Sequence, residues 1–164
     1  MTMTFDDDKD LVLERWVDVE TPLVWKAWTD PEQLVQWFAP RPWTVAEAKI
    51  ELHPGGVFRT VMQSPEGETM PGDGCVLDVV EGERLVWTDA LGPGFRPNAE
   101  SFMTACITLT SENGGTRYRA HVMHANTEAQ QQHASMGFAD GWGAALDQLV
   151  ELVKTGKVSD KSAD

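Results

Sequence analysis

Across residues 126–154 the apolar positions recur at helical spacing: Phe138, Trp142, Ala145, Leu146, Leu149, Val150, Leu152 and Val153. Steps of three and four place them on one broad stripe, so the pattern predicts a single long amphipathic helix with a face to bury. Asn126 suits its N-cap and Glu128 its positive end, while Lys154 and Gly156 close it. Gly137, Gly141 and Gly143 interrupt the pattern. Each costs about 1 kcal/mol relative to alanine inside a helix, so each must serve a close approach, a kink or an open cavity wall.

Upstream the period is mostly two. Residues 11–17 read as a first strand. Thr21 as N-cap and Pro22 then open a short helix with Val24, Ala27 and Trp28 as its apolar face. Asp30-Pro31 ends it and begins another, through Trp37. Strands follow at 43–52 (Ala48, Ile50 and Leu52 on one face), 57–63, 74–80 and 84–88. A loop at 91–100 leads to a hairpin of 102–109 and 116–124 around Asn113-Gly114-Gly115. Strands segregated from helices predict an α+β fold: a curved seven-stranded antiparallel sheet around the long C-terminal helix, with two short helices after strand 1. Residues 1–10 read as a solvated, frayed acidic leader, 11–156 as one domain and 157–164 as a polar tail.

Composition narrows the function. The formal net charge of −13 opposes phosphate backbones and anionic membranes, so neither nucleic acid nor membrane is an expected partner. No apolar run is long enough to span a bilayer, and the acidic start is unlike a signal peptide, which points to the cytoplasm. Cys75 and Cys106 read as small core residues of a reducing compartment. No cofactor or metal motif is present: there is no phosphate loop, dinucleotide fingerprint or CxxC pair.

The chemistry candidates are mostly aromatic. Seven tryptophans stand in 164 residues. Such rings line apolar pockets and fill cores alike. His121 and His124, three apart on a strand, point to opposite faces and cannot share a metal. Alternation turns His121 outward, and Tyr118, Ala120, Val122 and His124 toward the helix, where His133 could approach. Asp78, Asp89 and Glu100 have no pairing that marks a general acid or base, and Ser101 and Ser135 lack a nucleophile elbow. No catalytic residue is assigned. The candidate ligand-binding set is Trp28, Trp37, Phe58, Trp87, Tyr118, His124, Phe138 and Trp142, with Tyr118, His124 or Arg59 orienting a polar end.

Several local segments carry a family resemblance: Thr21-Pro22 through Asp30-Pro31, Trp37-Phe38-Ala39-Pro40, Leu52-His53-Pro54-Gly55-Gly56-Val57-Phe58-Arg59, Glu83-Arg84-Leu85-Val86-Trp87-Thr88 and Gly141-Trp142. Together they resemble the START-like (SRPBCC) helix-grip superfamily, the birch-pollen-allergen fold, and within it the bacterial homologues of the activator of the heat-shock-protein-90 ATPase. The resemblance implies a cleft between sheet and long helix that takes a small hydrophobic, aromatic or amphipathic molecule. It admits two other roles: an enzyme of the cyclase or hydrolase kind, which needs an inward ionisable pair such as His124 with a carboxylate, and a chaperone-binding module. A homodimer is common among such proteins, and no residue here argues for one.

Overall fold

The period-two segments pair into one sheet, and the helical stripe lies across it. The computed structural model describes residues 3–159. In chain order it contains β1 (Asp10–Val17), α1 (Thr21–Thr29), α2 (Pro31–Trp37), β2 (Thr44–Ile50), β3 (Val57–Gln63), β4 (Thr69–Val80) and β5 (Arg84–Thr88). A small ribbon of β6 (Leu91–Gly92) and β7 (Arg96–Pro97) follows, then β8 (Thr104–Glu112), β9 (Gly115–Met123), α3 (Thr127–Ser135) and α4 (Phe138–Thr155). The main sheet is antiparallel with seven strands ordered β1-β9-β8-β5-β4-β3-β2, which is the helix-grip architecture.

Register explains where the core lies. Leu11, Val122, Ala105 and Trp87 form one row across β1, β9, β8 and β5, and Leu13, Ala120, Ile107 and Leu85 form the next. Side chains of paired residues share a face. These rows meet Phe138, Ala145, Leu146, Leu149 and Leu152 of α4 in one hydrophobic cluster, joined by Val24, Ala27 and Trp28 of α1. A buried glutamine sits within the α4 stripe. Gln148 donates to the Trp37 and Ala39 carbonyls and accepts from the Arg41 amide, fastening the exit of α2 to α4.

Several expectations are corrected. The predicted single C-terminal helix is two, because Gly137 takes a left-handed conformation (φ 92°) between α3 and α4. Asn126 caps α3 through the Ala129 amide and Gly156 ends α4, as predicted. Glu20, not Thr21, occupies the N-cap position of α1; the Thr21 hydroxyl is drawn inward by Thr116 and Ser111. Leu52 lies beyond the end of β2 and is exposed. β4 starts at Thr69 rather than Gly74, since β5 covers it only from Cys75 and the earlier residues form an open edge that tolerates Pro71.

The leader is ordered over its described part. The Asp6 carbonyl accepts from the Lys9 and Asp10 amides, and the Asp10 carboxylate accepts from the Asp6 amide. His121 faces outward as predicted, yet it is only 1% exposed: Phe5 lies 5.5 Å from its ring, and Asp10 meets its Nε2 at 2.8 Å. Alternation reports a side chain's face, not what covers that face.

Candidate ligand-binding site

The candidate residues divide into two groups along the inner face of the sheet. Trp28, Trp37, Phe58 and Trp87 form a packed aromatic block with Phe38. Trp28 and Trp37 meet edge-on at 5.0 Å, and Phe58 stacks on Trp87 at 4.3 Å with 8° between planes. Phe38 touches all four. The polar edges are mostly used: Trp37 Nε1 donates to the Ala27 carbonyl, and Trp28 Nε1 to the Tyr118 hydroxyl at 3.1 Å. Trp87 Nε1 is buried without a partner among the described residues. Burial in this apolar surround pushes the Tyr118 hydroxyl pKa up, so it stays protonated.

His124, Phe138 and Trp142 gather at the other end; His133 approaches His124 there as the sequence suggested, and the structure adds Phe102. His124 lies one step past the end of β9, and its Nδ1 is 2.7 Å from the Lys9 carbonyl. A carbonyl only accepts, so this nitrogen carries the proton. With that single proton on the ring, its Nε2 accepts from His133 Nδ1, 2.9 Å away. That chain of bonds leaves His133 Nε2 with an unshared lone pair and no partner among the described residues. The rings of Phe102, Phe138 and Trp142 lie 4.6, 5.1 and 6.4 Å from that of His133. Burial, and secondarily the neighbouring His124, lowers the His133 pKa to about 4, so the imidazole is neutral at physiological pH.

A recess of about 250 Å³ opens beside this pair, lined by Ser101, Phe102, Met103, His124 and Ala125 among others. A larger hollow, about 580 Å³, lies elsewhere against Thr21, Glu83, Arg84 and Ser111; it is polar, open and touches none of the candidate residues.

The remaining charges are accounted for. Arg59 does not orient anything inside: it lies on the outer face, paired with Asp73 at 2.6 Å and Glu47 at 3.4 Å. Asp78 pairs with Arg84, and Asp89 accepts from the Phe102 and Met103 amides. Glu100 is exposed. The carboxylate that an enzyme reading requires beside His124 is not there among the described residues; its partners are His133 and the Lys9 carbonyl. Both cysteines are buried and free. Among the described residues no group of three or more His, Cys, Asp or Glu side chains is placed to hold a metal, and no helix is long and apolar enough to cross a membrane. Phe102 was not singled out: it opens the stretch expected as a strand over 102–109, whereas β8 begins at Thr104 and leaves Phe102 outside the alternation that assigns faces.

Comparison with known proteins places this arrangement. A crystal structure of a Nitrosomonas europaea protein is 44% identical, with 93% of this chain and 98% of that one aligned at a TM-score of 0.90. A Mycobacterium smegmatis protein is 28% identical over 89% of this chain and 91% of its own, at a TM-score of 0.75. An AHSA1-like protein of Aeromonas hydrophila, 22% identical over 94% and 99% of the two chains, shares the fold at a TM-score of 0.68. No curated protein matches the sequence. The profile of one family, the Activator of Hsp90 ATPase homolog 1-like proteins, matches residues 18–154. This chain belongs to that family.

Proposed function

We propose that the protein binds a small amphipathic molecule between the sheet and α4, received at the His133 end. One observation carries this reading: the His124–His133 pair, 2.9 Å apart, sits inside a wall of aromatic rings, and its His124 member lines an open recess. A ligand hydroxyl or amine would donate to His133 Nε2 while its apolar body loses water at about 25 cal/mol per Å². The recess of about 250 Å³ is below the roughly 300–1,000 Å³ of drug-sized pockets, so the ligand is small or extends along the seam between β1 and α4. Leu11, Leu13 and Trp142 are only half-buried along that seam.

Binding fits better than catalysis. A general base works best with a pKa near the operating pH, and a value of about 4 makes His133 an acceptor rather than a proton carrier. The chaperone-binding role draws less support: of the exposed large apolar side chains only Val12 and Trp16 share an element, β1, and Leu23, Met70, Phe95 and Met136 are spread along the chain. Native mass spectrometry of the purified protein, with tryptophan fluorescence during titration by decanol and naphthol, tests the reading. A retained small mass, or saturable quenching that Trp142→Ala removes, supports it. An empty protein whose fluorescence answers neither compound overturns it.

A further inference from the structure

The seam between β1 and α4 contains space and unused donors together. Gly143 of α4 is buried, yet a methyl group placed on its Cα would meet no atom within 4 Å among the described residues beyond its chain neighbours and its own helix backbone. Most buried positions are close-packed, so this is an interior gap. Arg15 reaches it from the edge strand β1: its Nη2 donates to the Gly143 carbonyl at 3.2 Å and to Asp147 at 3.0 Å. Its Nε is buried with no partner among the described residues. Directly opposite Arg15 across β1–β9 stands Tyr118, 2% exposed, near enough to feel the arginine's charge. The Tyr118 oxygen accepts from Trp28, and its own proton meets no acceptor among the described residues. Two buried donors thus stand on one cross-strand pair, and Arg15 reaches the unfilled space beside Gly143.

We propose that the gap beside Gly143 takes the carboxylate end of an amphipathic ligand, held by Arg15 Nε–H and the Tyr118 hydroxyl. This rests on the ligand-binding reading above and adds the chemical class. An acceptor group satisfies both donors, and a negative one suits Arg15 best. In the inward rows of β1, β9 and β8, the other residues are Leu11, Leu13, Tyr118, Ala120, Val122, Ala105, Ile107 and Leu109, so Arg15 is the one charged side chain there. Its partner Asp147 is 71% exposed and largely screened by water. A carboxylate in the sheltered gap makes shorter, charge-assisted bonds to the guanidinium.

The test compares decanoate with decanol, which share a chain and differ in the head group, by tryptophan fluorescence and calorimetry on the full chain. Decanoate should bind at least about tenfold more tightly, the size of one charge-assisted hydrogen bond. Arg15→Gln should bring the ratio of the two affinities to near one, and Tyr118→Phe should lower it several-fold. The ratio within one variant is insensitive to any general loss of stability. Should Arg15→Gln fail to fold, Gly143→Leu fills the same gap from α4 and should remove the decanoate preference. An unchanged ratio in these variants, or equal affinities in the parent protein, overturns the carboxylate site while leaving the ligand-binding reading standing. Failure of both probes to bind overturns both.

Discussion

The depressed His133 pKa has a direct consequence for stability. In the unfolded chain this imidazole titrates near its ordinary value of 6.5, and in the folded protein near about 4. Between those values the unfolded state binds a proton that the native state refuses, so stability is full above the unfolded pKa and falls as pH drops through the window. At about pH 5 the factor is roughly thirty, which corresponds to about 2 kcal/mol lost relative to about pH 7.5. His133 is only 7% exposed, so solvent screening takes little from this figure. Urea unfolding of the parent and of His133→Asn at both pH values isolates the effect, because asparagine keeps a donor for His124 Nε2 and has no titrating group. The parent should lose about 2 kcal/mol more than the variant on acidification. Equal losses, or an NMR titration placing the His133 midpoint at or above 6.5, would refute the buried-neutral assignment.

Three further outcomes follow from packing. Gly137→Ala should destabilise by about 1–2 kcal/mol, since alanine is strained at φ 92°, whereas Gly143→Ala should stabilise by about 0.5–1 kcal/mol by filling open space with a better helix former; thermal melts of both variants check the contrast. Gln148→Leu should cost about 2–4 kcal/mol in urea unfolding, because the Trp37 and Ala39 carbonyls and the Arg41 amide lose their buried partner. Asp10→Ala should cost about 1–3 kcal/mol and release the leader, read as faster amide exchange at Lys9 and at position 10. A variant as stable as its parent would count against the corresponding contact in each case.

Much of the fold was legible because its signals are local. Asn126, Asp30-Pro31 and Gly156 act within one turn of themselves, so capping chemistry located helix boundaries without any knowledge of neighbours. Alternation along 116–124 correctly turned Tyr118, Ala120, Val122 and His124 toward the helix, because a strand's period is a property of its own backbone. The errors arose where a distant partner decided. Thr21 gave up the N-cap to hydroxyls some ninety residues away, at Ser111 and Thr116. The glycines of the C-terminal segment presented three uses, and tertiary structure distributed them: Gly137 breaks the helix, Gly141 passes Pro40 at ordinary contact distance, and Gly143 borders empty space.

The sequence by itself determined the helix-grip architecture, its antiparallel sheet and the aromatic wealth of its interior, because periodicity and capping are written residue by residue. Tertiary structure alone decided the chemistry of that interior. A leader that reads as solvated acid closes over His121 and offers its Lys9 carbonyl to His124, which sets the tautomer of one imidazole and leaves the next with a free lone pair. Arg15, one charge among many in the sequence, becomes a half-used donor beside a gap that only Gly143 permits. Protonation, burial and unmet hydrogen bonds depend on what the folded chain places around a group, and no local pattern encodes that.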